Sequence, residues 1–250
     1  MPKLTRNQWL IVAANFAIYS LLGWKFAVAV TIGIFFHELG HLIASERLGM
    51  KTSGMWLIPF LGGAAVNNNQ YKTMYGRANV ALAGPIIGSI PAVVFIALYW
   101  ATGIHWLASA AFWILAINVV NLPPLFPILD GAKIIDSITY SIDRKFGLYV
   151  SCAFTCIGYL ALVGIGMPIF GMFILLVSFS VLMSEWENQR NESHGLYERC
   201  TKGYLNKPYP MSKIQISNIL GIWTASILTM ITMCLYVHHI GLDSIGLLLK

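Results

Sequence analysis

Charge is the scarcest resource in this chain. Only 10% of its 250 residues are Asp, Glu, Lys or Arg, whereas a soluble domain carries about 25%. With 57% apolar residues and a mean hydropathy of +0.69, the shortage excludes an ordinary soluble globule and indicates a polytopic membrane protein. Acidic groups are scarcer still, ten against sixteen basic, for a net charge of +6. On a membrane protein such an excess marks cytoplasmic loops. The interleaved aromatic and basic residues of a nucleic-acid platform are missing, so no nucleic-acid partner is expected. Cysteine is sparse as well. Cys152, Cys156, Cys200 and Cys234 form no C-x-x-C pair, which argues against a disulfide framework or a cysteine zinc site and leaves small buried hydrophobes. There is no internal repeat and no low-complexity tract. A cleaved leader is not expected either. Lys3 and Arg6 precede an apolar run, but cleavage after Ala27-Val28-Ala29 would cut into the next helix, so the first span is read as retained.

What is abundant is long apolar runs. Stretches of about 17–25 residues are long enough to cross a bilayer as helices. They fall at Gln8 to Gly23, Trp24 to Leu48, Asn79 to Trp100, Trp106 to Phe126, Gly147 to Gly164 and Pro168 to Met183, with a seventh candidate at Ile216 to Val237. Gly49 to Val66 breaks the helical pattern with Gly, Pro and Trp, which suits short strands and turns. Ser184 to Ser212 is polar and reads as a cytoplasmic segment. The expected fold is an all-α polytopic membrane protein of six to seven transmembrane helices, with a small membrane-embedded β-hairpin after the second. The whole of 1–250 is expected to be one integral-membrane domain with its core at 24–135. With the N-terminus inside, 14 of the 16 basic residues sort to inside segments, and only Lys25 and Lys250 fall outside. The orientation expected is therefore a cytoplasmic N-terminus, in a prokaryotic inner or plasma membrane.

Within the second apolar run lies His37-Glu38-Leu39-Gly40-His41. On a helix, residues i and i+4 differ by about 40° in azimuth and lie one turn apart. Two imidazoles so placed can grip one Zn²⁺, and the intervening glutamate can act as a base toward water beside it. A catalytic zinc wants a third protein ligand. Asp130 is the best candidate, because it follows Asn121-Leu122-Pro123-Pro124-Leu125-Phe126-Pro127. Three prolines stop a regular helix there, and a carboxylate at that depth is costly unless it has a function.

These two motifs, in this order, resemble the site-2 protease family of intramembrane zinc metalloproteases. Arg77-x-x-Val80-Ala81-Leu82-Ala83-Gly84-Pro85 looks like that family's third-span signature. The resemblance implies one Zn²⁺ per chain, held by His37, His41 and Asp130, with Glu38 as catalytic acid/base. It also implies that Gly49 to Val66 forms a sheet that takes substrate as an added strand. Gly62 and Gly63 are candidates for the close approach of that strand, and Asn121 for steadying the oxyanion. No room is left for an inserted PDZ domain, so the compact branch is the better match. The implied partners are a single-span membrane-protein substrate and the bilayer, with room for a regulatory membrane partner. Two other classes compete. A zinc transporter would need a file of polar ligands through the membrane, which the spans lack. A proteolytically inactive, chaperone-like relative would not need Glu38.

Overall fold

The computed structural model describes residues 5–50, 52–58, 62–67, 71–193 and 208–241. In order they form α1 (Arg6–Ser20), α2 (Trp24–Arg47), β1 (Thr52–Ile58), β2 (Gly62–Asn67), α3 (Met74–Thr102), α4 (His105–Val120), α5 (Asp130–Ile142), α6 (Arg144–Gly164), α7 (Pro168–Ser193) and α8 (Lys213–Gly241). Five of the described helices are long and apolar enough to cross a membrane: α2, α3, α6, the Pro168–Glu187 part of α7, and Lys213–Ile240 of α8.

That number is below the six to seven expected, for local reasons. The first expected span is a helix of only 15 residues, begun by a capping box in which Thr5 and Gln8 bond each other's backbone. The fourth ends at Val120 after 16 residues, because Asn121 and the prolines at 123, 124 and 127 deny the backbone further helical bonds. Two stretches left without a secondary structure above are helical. Ser184 to Ser212, read as a polar segment, begins as helix. Ser184-Glu185-Trp186-Glu187-Asn188-Gln189-Arg190 contains no Gly or Pro, and α7 runs through it to Ser193. The remainder, residues 194–207, with His194 and Cys200, lies outside the described residues, as does the hairpin tip 59–61. The stretch after the prolines is also helical. α5 buries Ile134, Ile138 and Ser137 on one face, and Asp130 is its first residue, where a carboxylate suits the positive end of the helix dipole.

The chain divides into two compact units. One comprises Met1–Gln70, Val80–Asn121 and Gly221–Lys250, the other Tyr71–Asn79 and Leu122–Leu220. In the first, β1 and β2 pair antiparallel with Trp56 opposite Ala64, Leu57 opposite Gly63 and Ile58 opposite Gly62, and both strands pack beside α2. Tyr19 of α1 joins Ala27, Val30, Ile34 and Leu42 of α2 in one apolar cluster. Ala92 and Ile96 of α3, Ala108, Ala111, Ile114 and Leu115 of α4, and Val237 of α8 form another. Lipid tails are as apolar as leucine, so close packing of small residues replaces the hydrophobic drive here. In the second unit, α5 lies against α6 and α6 against α7. Gly158 of α6 lets Leu125 and Phe126 approach so closely that a Cβ there would sit 2.7 Å from the Phe126 ring. Tyr209 bonds the chain at Lys72 and Met74 through two backbone hydrogen bonds of 2.9 Å.

Candidate metal centre

α2 forms because an apolar run from Phe26 to Phe36 is free of Pro, and it stops at Leu48, where Gly49 takes φ 71°. Its register puts His37, Glu38 and His41 in the interior. They are 5%, 3% and 6% exposed. Their ligand atoms all lie within 4.8 Å of one another.

Each histidine is held through Nδ1. The Nδ1 of His41 lies 2.8 Å from the carbonyl of Val80 on α3. A carbonyl only accepts, so Nδ1 carries the hydrogen, and in the neutral ring that metal binding requires Nε2 carries the lone pair. The Nδ1 of His37 lies 2.9 Å from Oδ1 of Asn118 on α4. Asn118 donates its Nδ2 to the carbonyl of Ile114 at 2.7 Å, which fixes which end of the amide faces His37. His37 therefore also donates from Nδ1 and presents its lone pair at Nε2. The two Nε2 atoms are 3.1 Å apart. Two lone pairs at that distance repel unless a cation joins them. Two nitrogens bound tetrahedrally at about 2.0–2.1 Å would lie roughly 3.3 Å apart. The chemistry and spacing of the donors thus fit Zn²⁺, each histidine donating its other ring nitrogen to a fixed acceptor as metal-bound imidazoles do. Oε2 of Glu38 is buried with no hydrogen-bond partner among the described residues. A carboxylate left so, close to both imidazoles, is the group an adjacent cation and water would satisfy.

Three glycines let the helices come this close. A Cβ at Gly40 would overlap the carbonyl of Ala83, one at Gly84 the ring of His41, and one at Gly88 the Oδ1 of Asn118. Gly84 and Gly88 are spaced as a small-x-x-x-small face. The part of the third-span signature from Val80 to Gly84 thus acquires a physical reading: Val80 fixes a tautomer and Gly84 leaves space for the ring.

Asp130 belongs to the other unit, at the start of α5. It is 2% exposed, and its Oδ1 accepts from Lys133 Nζ at 2.9 Å. Among the described residues the gathered ligand cluster is His37, Glu38 and His41. Asn121 is the cap of α4, and its Nδ2 donates to the carbonyl of Ile117 at 3.0 Å. Gly62 and Gly63 lie in β2 opposite Ile58 and Leu57. The residue that sequence reasoning misses is Asn118. The signal is present, since it is a lone amide in the apolar run Leu107 to Val120, but nothing in one sequence says which α2 residue it faces. Asn118→Leu is expected to weaken zinc binding by about 10–100-fold, while Asn118→Asp, which keeps an acceptor, holds most of it. Chelator competition on the purified variants measures this. Unchanged affinity in the leucine variant would dissolve the role.

The helix that Asp130 begins is fixed further along. Asp136 accepts from Ser151 Oγ of α6 and pairs with Arg77 Nη2 at 3.5 Å. Burial raises the Asp136 carboxyl above its ordinary value, a tendency that Arg77 and Ser151 oppose without cancelling. The folded state therefore holds this proton more tightly than the unfolded chain. Its contribution to stability is full below the unfolded pKa of about 3.9 and declines as pH rises through the higher folded value. Asp136→Asn should accordingly gain on the wild type, in thermal midpoint, as pH is raised from about 4. A difference that shrinks with rising pH would contradict the sign.

Part of the chain resembles known proteins in sequence. Residues 25–104 match peptidase family M50. The M50 match spans α2 with both histidines, the hairpin and α3 with Val80, Gly84 and Gly88. The chain is also similar to a zinc metalloprotease of Methanocaldococcus jannaschii, 25% identical over 194 residues. That similarity takes in 74% of this chain and 55% of the relative, so the chain spans about half the length of the protein it matches.

Proposed function

We propose that the chain is an intramembrane zinc metalloendopeptidase that hydrolyses peptide bonds within or near transmembrane segments of other membrane proteins. The observation that carries this is the approach of the two imidazole Nε2 atoms to 3.1 Å beside the buried Glu38 carboxylate. His37 and His41 hold the metal. In this reading Asp130 is the third ligand, an assignment that rests on the sequence motif. When bound, zinc supplies Lewis acidity, polarising a carbonyl and making nearby water more acidic. Glu38 takes the proton from the attacking water and returns it to the leaving amine, and its burial keeps that proton from bulk solvent. Val80 and Asn118 keep the imidazoles in the tautomer and orientation the metal needs. Asn121 is the candidate for steadying the developing oxyanion.

The substrate we propose is a single-span membrane protein, presented in extended form. A helical segment shields its peptide bonds with its own hydrogen bonds. Adding a strand to the β1–β2 hairpin would expose them, and Gly62 and Gly63 present no bulky side chain to an approaching backbone. We place the hairpin within the membrane region and count α1 and α4 with the longer helices, giving six or seven spans. The basic residues, 14 of 16 on one side, support a cytoplasmic N-terminus in a prokaryotic inner membrane.

Co-expression with single-span reporter substrates tests the assignment of Asp130. Asp130→Ala should stop cleavage and release zinc from the purified protein. A variant that cuts and retains zinc like the wild type would remove Asp130 from the ligand set.

A further inference from the structure

The second unit contains a cavity of about 430 Å³ bounded by α5, α6, α7 and the start of α3, a size ordinary for small-molecule sites. Its charged lining is two ion pairs. Arg77 faces Asp136 at 3.5 Å, and Arg144 Nε donates to Glu185 Oε1 at 3.0 Å. The Arg144 guanidinium also lies 5.1 Å over the ring of Tyr140, another lining residue.

The position of these groups along the helices is informative. α6 and α7 are apolar helices joined by the short connection 165–167 and packed on each other. Arg144 is the first residue of α6, and Glu185 is two residues from the end of the apolar part of α7. Both lie at the ends of apolar helices remote from the connection, and the ends of spanning helices are where a headgroup layer is met. One turn inward the lining includes Leu148 and Val181, and a further turn along α6 Ser151 holds Asp136. Charged groups at the helix ends and again further in, with apolar side chains between them on two antiparallel helices, suit an amphiphile with an extended polar headgroup. The charges are balanced, two cations and two anions, so a purely anionic headgroup would leave both carboxylates opposed to it. Partly exposed ion pairs contribute little, so they can exchange partners with a bound zwitterion at small cost.

We propose that this cavity seats the headgroup of a zwitterionic phospholipid bearing a primary ammonium. The phosphate meets the guanidiniums of Arg144 and Arg77, whose planar donor forks suit it. The ammonium donates to Glu185 and Asp136. A quaternary choline, having no N–H, cannot make the second contact.

The test uses the full chain in detergent, with thermal unfolding and native mass spectrometry as readouts. Phosphatidylethanolamine, phosphatidylcholine and phosphatidylglycerol of identical acyl chains are added in turn, with soluble glycerophosphoethanolamine as a fourth arm. Phosphatidylethanolamine should bind about tenfold tighter than the other two lipids, as charge-assisted contacts to both ends of the headgroup require, and should raise the unfolding midpoint by several degrees. Glycerophosphoethanolamine at the same concentration should do neither. Arg144→Gln with Glu185→Gln should erase the preference. Val181→Trp, which fills the cavity and leaves the ion pairs alone, should do the same if the double variant is too unstable to purify. Equal binding of the three lipids, a preference that survives cavity filling, or full effect from the soluble headgroup would each overturn the proposal. No readout depends on proteolysis, so failure here leaves the protease reading untouched, and the reverse holds.

Discussion

Glu38→Gln is expected to abolish cleavage while leaving zinc in place. The substitution keeps the shape of the side chain and removes only its ability to take a proton. Glu38 is 3% exposed, and its Oε2 has no hydrogen-bond partner among the described residues, so no hydrogen bond at that oxygen is lost. An isolated buried carboxylate is costly, and the amide should make the protein equally or more resistant to thermal unfolding. General acid–base catalysis contributes roughly 10²–10⁴-fold, and the loss should be at least of that order. Cleavage of a single-span reporter, zinc content by elemental analysis and the thermal midpoint, taken together, separate this outcome from misfolding. If the variant cuts at the wild-type rate, Glu38 is not the base and the mechanism fails.

Gly84→Ala should cost the protein its zinc although every metal-binding side chain remains. A methyl at this position overlaps the imidazole of His41 and would lie 3.0 Å from its Nδ1. The ring cannot simply swing aside, because Nδ1 is held by the Val80 carbonyl at 2.8 Å and Gly40 on the neighbouring helix already touches Ala83. Relief requires α2 and α3 to separate or His41 to leave its rotamer, and either moves Nε2 out of line. The same change at Gly221 of α8, which meets nothing within 4 Å, should do no harm. It replaces a helical glycine and should stabilise by about 0.5–1 kcal/mol. The pair of variants therefore separates helix propensity from local space. Stoichiometric zinc in Gly84→Ala would show that the close approach of the helices is not needed for the site.

Much of this protein is legible in its amino-acid sequence. The shortage of charge declares the solvent. Apolar run lengths locate the long helices, and the i, i+4 spacing of His37 and His41 requires only helical geometry to put both on one face. These are local properties, governed by bond geometry and by solvation of single segments. Boundaries are less legible. The end of α4 at Val120 and the continuation of α7 to Ser193 depend on how prolines and polar helix formers compete over a few residues. α5 escapes a reading by run length because a 13-residue amphipathic helix lacks the length of a span.

The hydrogen-bond partners are not legible at all. Asn121, which stands in the recognisable motif, donates to its own helix at Ile117, whereas Asn118, three residues earlier and outside the motif, holds His37. A one-dimensional pattern fixes which residues can bind a metal. Which ring nitrogen carries the hydrogen is set by acceptors that are distant in sequence, 39 residues away for His41 and 81 for His37. Those acceptors reach the rings only because Gly40, Gly84 and Gly88 allow three helices to touch. The chemistry offered to zinc is written in the helix; its poise comes from packing, because a lone pair must be aimed and only neighbouring backbones and side chains can aim it.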